Sequence, residues 1–187
     1  MKVVRKKTSL WLLTLLLLGA HIFFRSQAAH AEPPVVWKEI LPRSGNCKIS
    51  FPSLPQLIQQ SFKVDEVGTR LNYDVYLASY QNRGVCILLI AQYPTAIPVG
   101  QELLGLQGLV RGIVSQNVEN KLLFSDSVEN QLFPALNFLV NSGKNYFRAQ
   151  AIMVGSRLYM IGMEGGKQYF DEAVFQQFLN SFQLIND

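Results

Sequence analysis

Between Lys121 and Met163 four strand-like segments follow one another through turns of only two or three residues. The segments are Lys121–Val128, Gln131–Asn141, Asn145–Val154 and Arg157–Met163; the turns are Glu129-Asn130, Ser142-Gly143-Lys144 and Gly155-Ser156. A parallel crossover needs a dozen residues or more, so such joins force antiparallel neighbours. Upstream, Cys47–Phe51 stops at Pro52, and Pro52 with Pro55 marks a turn. Gln59–Val67 and Arg70–Tyr80 flank Gly68 and predict a hairpin. In the second arm Leu71, Tyr73, Val75 and Leu77 alternate with Asn72, Asp74, Tyr76 and Ala78, the pattern of a sheet with one drier face. After the turn Asn82-Arg83-Gly84, the almost wholly apolar run Val85–Tyr93 predicts a central strand.

The period changes twice. Over Val99–Asn117, Leu103, Leu106, Val110 and Ile113 recur at helical spacing, widened by Leu104, Leu109 and Val114. Gly105, Gly108 and Gly112 form a neighbouring stripe, for which close packing of the helix backbone on the sheet is the expected reason. They lie inside the helix, not in a turn before it, so they are not a phosphate cradle. The last helix, about Tyr169–Phe182, places Phe170, Val174, Phe178 and Phe182 on one side. Strand runs broken by two helices predict the α+β class: an antiparallel β-sheet with helices packed on it. The expected organisation is one domain over residues 47–187, preceded by an extension over residues 32–46 in which Trp37 is a docking anchor.

Residues 1–31 read as a secretory signal peptide. Met1–Thr8 is basic, Leu10–Ala20 is apolar, and Ala29 and Ala31 stand at the −3 and −1 positions of a cleavage site. The stretch Leu10–Phe24 falls short of the roughly 20 residues that span a bilayer, so membrane contact is expected only in transit. Export to the periplasm or the exterior follows. Five of the 17 Lys and Arg lie in this leader and none of the 13 Asp and Glu, so the chain from Glu32 carries 12 basic and 13 acidic groups. A net charge of −1 argues against a nucleic-acid partner.

Export bears on Cys47 and Cys86. In an oxidising compartment the pair is a candidate disulfide closing a loop of about 40 residues, worth roughly 4 kcal/mol on a chain-entropy account. Two separate buried thiols are the alternative, since Cys86 sits inside Val85-Cys86-Ile87-Leu88-Leu89-Ile90 as a small hydrophobe.

Several segments carry a resemblance. They are Ile49-Ser50-Phe51-Pro52, Tyr76-Leu77-Ala78-Ser79-Tyr80, the run from Arg148 through Val154-Gly155-Ser156-Arg157-Leu158-Tyr159, and Phe178-Leu179-Asn180-Ser181-Phe182. Together they resemble exported bacterial proteins of unassigned function with a PsbP-like fold. That fold is an α/β/α sandwich, also found in extrinsic photosystem proteins, some bacterial envelope lipoproteins and a small nuclear-import factor. The resemblance implies an accessory, scaffold or binding role with no shared catalytic residues to transfer. The chain departs from it at Phe133-Pro134-Ala135-Leu136-Asn137-Phe138, where such proteins carry a glycine-rich turn and an acidic strand.

The residue inventory narrows the chemistry further. Both histidines, His21 and His30, fall in the leader, so no Ser-His-Asp or Cys-His system can form after cleavage. The paired carboxylates Asp65-Glu66 and Asp171-Glu172 are consecutive and point apart. No spacing suggests a calcium or zinc site, and no cofactor is expected. Arg148 and Arg157 share one hairpin and could meet an acidic partner, or pair across strands with a carboxylate such as Glu164. Tyr93-Pro94-Thr95-Ala96-Ile97-Pro98-Val99 is a Pro-stiffened loop whose Tyr93 and Ile97 either meet a partner or cap the core. The expectation is a non-enzymatic accessory or binding protein of the cell envelope or periplasm whose partner is a protein or envelope component. A small hydrolase or transferase with a histidine-free site is the alternative class.

Overall fold

The computed structural model describes residues 35–63 and 70–185. The signal peptide expected from the sequence, with Ala29 and Ala31, and the expected turn at Gly68 lie outside the described residues. The strands are β1 (Lys38–Ile40), β2 (Cys47–Phe51), β3 (Gln56–Lys63), β4 (Arg70–Tyr80) and β5 (Gly84–Gln92), then β6 (Asn120–Asn130), β7 (Phe133–Ser142), β8 (Asn145–Val154), β9 (Arg157–Gly166) and β10 (Gln183–Leu184). Helix α1 (Glu102–Val114) lies between β5 and β6, and α2 (Glu172–Asn180) between β9 and β10.

Short turns produce the antiparallel joins that the sequence requires. Seven strands form one sheet in the order β3-β4-β5-β9-β8-β7-β6, with antiparallel pairing at each step. After β5 the chain crosses by way of α1 to the far edge, then winds back through three hairpins until β9 lies beside β5. Gly143 (φ 58°) and Gly155 (φ 59°) take the left-handed conformation in the β7–β8 and β8–β9 turns. The β6–β7 turn has no glycine. Asn130 pairs with Phe133, so Gln131 (φ 51°) and Leu132 (φ 70°) are its two central residues. The sequence pattern assigns Gln131 to a strand; the strand in fact begins at Phe133.

The alternation within β5 sends its side chains to two cores. Val85, Ile87, Leu89 and Ala91 face one side, where Leu106, Val110 and Ile113 of α1 are buried with them. Cys86, Leu88 and Ile90 face the other, with Val174, Phe175, Phe178 and Leu179 of α2. The second side also holds a small sheet of order β1-β2-β10, which contributes Cys47, Ile49 and Phe51 to the core. Helix α2 starts cleanly because the Asp171 carboxylate accepts from the backbone N–H of Ala173 (2.9 Å) and Val174 (3.4 Å).

The extension before Cys47 docks on the domain: β1 pairs with β2 in the register Ile40 to Ile49, and the Trp37 and Phe178 rings lie 6.3 Å apart. Packing there is tight enough that a Cβ on Gly45 would stand 2.7 Å from Cδ1 of Ile90. The glycine stripe of α1 has the opposite character. A Cβ would meet only Met153 at 3.7 Å from Gly105, only Arg111 at 3.9 Å from Gly108, and nothing within 4 Å from Gly112. The stripe faces outward, and close packing on the sheet is not its reason. Among the described residues no helix is long and apolar enough to cross a membrane.

Candidate functional site

The loop leaving β5 is built from the inside out. Tyr93 and Ile97 are half-buried against the α1-side core, so their side chains anchor the loop instead of lining its outer surface. Their backbones are tied to the β8–β9 turn: Tyr93 N–H donates to Ser156 O at 2.8 Å, and Ile97 N–H to Gly155 O at 3.2 Å. Pro94 and Pro98 fix φ at two further positions. What faces solvent is Thr95, Ala96 and, above all, Val99, which is 97% exposed.

Arg157 lies at the same end of the sheet. Its Nε donates to Gln92 Oε1 at 3.1 Å, and Gln92 Nε2 donates to Ser156 Oγ at 2.7 Å. Arg157 thus braces the turn that holds the loop. Inward of it stand Tyr159, with Arg157 Nη1 to Tyr159 Oη at 3.5 Å, and the Cys47 thiol. Tyr93, Ile97 and Arg157 are therefore brought together at one end of the sheet, through Gln92 and Ser156.

Arg148 is elsewhere and does not belong to an exposed surface. It is 7% exposed, on the α2 side of β8. Its Nη1 donates to the carbonyls of Phe138 (3.1 Å) and Ala149 (3.2 Å), and its Nε faces Glu172 Oε1 at 3.4 Å. The guanidinium also lies 4.7 Å from the ring centroids of both Phe124 and Phe175. It fastens α2 to the sheet. Glu164, the cross-strand carboxylate expected from the sequence, instead accepts from Asn145 Nδ2 at 2.9 Å.

The two cysteines are both buried and unbonded. Both lie in the α2-side core, but Cys47 sits near Ile90, four residues along β5 from Cys86. The structure has two separate buried thiols, one of the two readings that the sequence leaves open. Burial pushes Cys47 up to about 12, with a smaller opposing pull from Arg157, and pushes Cys86 up to about 12.

A recess of about 440 Å³ opens between the β6–β7 turn and the end of the chain. Asn130, Gln131, Leu179, Asn180, Phe182 and Leu184 are among its walls. From it a chain of amides runs onto the sheet: Gln131 Nε2 donates to Asn130 Oδ1 (3.1 Å), Asn130 Nδ2 to Gln150 Oε1, and Gln150 Nε2 to Asn137 Oδ1 (2.9 Å). Neutral amides and apolar walls can hold or shape a partner but cannot move a proton near neutrality. Sequence reasoning missed this place. A tight turn without glycine, set before two turns that carry one, was the available signal.

No group of three or more His, Cys, Asp or Glu that could hold a metal ion occurs among the described residues. No family model and no curated protein matches the chain. Among solved structures, the fold is similar to the solution structure of cyanobacterial PsbP (CyanoP) from Synechocystis sp. PCC 6803. The TM-score is 0.54 at 10% identity, over 84% of this chain and 98% of that one. Likeness at that identity is of fold alone: the fold is PsbP-like, as the sequence resemblance implies.

Proposed function

We propose that this chain with a PsbP-like fold is an exported, non-enzymatic accessory protein of the cell envelope or periplasm that binds a protein or envelope component through the loop after β5. Its layering reads as a helix–sheet–helix sandwich in which the β1-β2-β10 sheet supplements the α2 layer. The reading rests on one observation: Val99 stands 97% exposed on a loop pinned at Tyr93 and Ile97 to the β8–β9 turn. A stiff, already ordered loop loses little entropy when its apolar tip is covered. The titratable groups nearby favour binding over catalysis. Burial raises Tyr93, Tyr159 and Cys47, moving groups that already titrate above neutrality further from it.

Affinity capture with the natively expressed protein tests the reading, comparing wild type with Val99→Asp. A partner retained by the first and lost by the second, with unchanged thermal unfolding, is the expected result. Equal capture by both would rule the loop out as the binding element. Mass measurement of the same material should give Glu32 as its first residue; an intact Met1 in a membrane fraction would contradict export.

A further inference from the structure

The recess of about 440 Å³ beside the β6–β7 turn falls within the range of small-ligand sites, roughly 300–1,000 Å³. Among the described residues its walls carry no charged side chain: four are amides (Asn130, Gln131, Asn180 and Gln183) and the others are apolar. The inner amides are spent on structure. Gln131 is bonded to Asn130, Phe182 and Leu184, and Asn130 to Gln150. The outer two are not. Asn180 ends α2 and Gln183 opens β10; both are exposed, and neither side-chain amide has a bonding partner among the described residues. Each offers two N–H donors and a carbonyl with two lone pairs.

These features select the chemistry of a ligand. The wall at Leu179 and Asn180 is the C-terminal end of α2, which carries partial negative charge and has no basic residue in its last turn, so it disfavours carboxylates and phosphates. Among the described residues no carboxylate lines the recess to hold a metal ion or an ammonium group. A peptide strand has no edge to join, because Gln131 already takes the Leu184 N–H and the Phe182 carbonyl on the free side of β10. Hydroxyl groups fit. Each donates and accepts at once, and an adjacent pair of them can meet the N–H and C=O of one carboxamide together. We propose that the recess is a binding subsite for an uncharged, hydroxyl-rich saccharide, gripped by Asn180 and Gln183 while the half-buried Leu184 packs against its C–H face. The locked inner amides keep the walls formed before it arrives, so little ordering is needed.

Residue-resolved NMR titration of the natively expressed protein with trisaccharides tests this, using uncharged chitotriose, cellotriose and maltotriose beside charged trigalacturonate. At least one uncharged probe should move the Asn180 and Gln183 side-chain amide signals saturably, with a dissociation constant of about 5 mM or tighter. Asn180→Ala combined with Gln183→Ala should weaken that probe at least about tenfold at unchanged melting temperature, since neither amide bonds within the chain. Val99→Asp should bind it as wild type does, which separates the recess from the loop after β5. No saturable shift from any uncharged probe up to about 50 mM would overturn the proposal. So would undiminished affinity in the double variant, an equal response to trigalacturonate, or an equal loss in Val99→Asp.

Discussion

The side chain of Gln131 pairs with Leu184 as the peptide group of a neighbouring strand would. Leu184 N–H donates to Gln131 Oε1 at 2.8 Å, while Gln131 Nε2 donates back to Phe182 O at 3.3 Å. One turn residue of the large sheet thereby fastens the free side of β10, whose other side pairs with β2. The end of the chain, the small sheet and the β6–β7 turn are one mechanical unit.

Removing that clasp should cost stability. Gln131→Ala loses both bonds of the clasp, worth about 1–2 kcal/mol together, along with the exposed bond to Asn130, and should lower the melting temperature by a few degrees. Gln131→Glu keeps the acceptor, loses the donor and sets a carboxylate against Phe182 O, so it should be no better than alanine. Thermal unfolding of both variants checks this; a Gln131→Glu protein as stable as wild type would contradict the geometry.

The outward glycines and the strained turn should respond in complementary ways. Gly108→Ala and Gly112→Ala meet no clash and should each stabilise by up to about 1 kcal/mol, because alanine suits a helix better. Leu132, 89% exposed at φ 70°, should gain about 1 kcal/mol on Leu132→Gly. Denaturant melts of the three single variants measure this. A loss of stability in the helix variants would show that the stripe is covered after all.

Arg148 should behave as an internal fastener. Arg148→Ala removes two carbonyl bonds, the Glu172 contact and packing between two rings, and should destabilise by on the order of 3 kcal/mol. Arg148→Lys should recover less than half, since an ammonium lacks the planar fork that stacks and bonds together. Capture of the partner should be unaffected by Arg148→Lys wherever the protein remains folded.

The thiols set an alkaline limit. Both cysteines ionise near 9 when unfolded and near 12 when folded, so above pH 9 the unfolded chain releases protons that the folded chain keeps. Their contribution to stability is full below about 9 and declines as pH rises from there toward about 12. At pH 8 an alkylating reagent should leave both unmodified in native protein and modify both after unfolding in denaturant, without a reducing step. Rapid native labelling of either, or a requirement for reductant, would contradict two buried free thiols.

Much of this fold was legible because turn length alone sets strand direction. Asn145–Val154 coincides with β8, and Arg70–Tyr80 with β4. The strands β1 and β10 were not legible: three and two residues long, they exist only because β2 lies between them. The role of Arg148 was hidden for a related reason. Its acceptors Phe138 and Ala149 are backbone groups, and its rings come from β6 and α2, so no local pattern marks it. Tyr93 and Ile97 were visible as a unit, but only the ties to Gly155 and Ser156 show that they anchor the loop and leave Val99 outside.

Val118 provides the internal control for binding through the pinned loop, being 98% exposed yet beyond the end of α1, away from that loop. A photo-crosslinking residue placed at position 99, and separately at 118, in the natively expressed protein measures contact directly. Binding through the loop predicts a discrete adduct of one size from position 99 and none from 118. Adducts of the same pattern from both positions, or none from position 99, would contradict it.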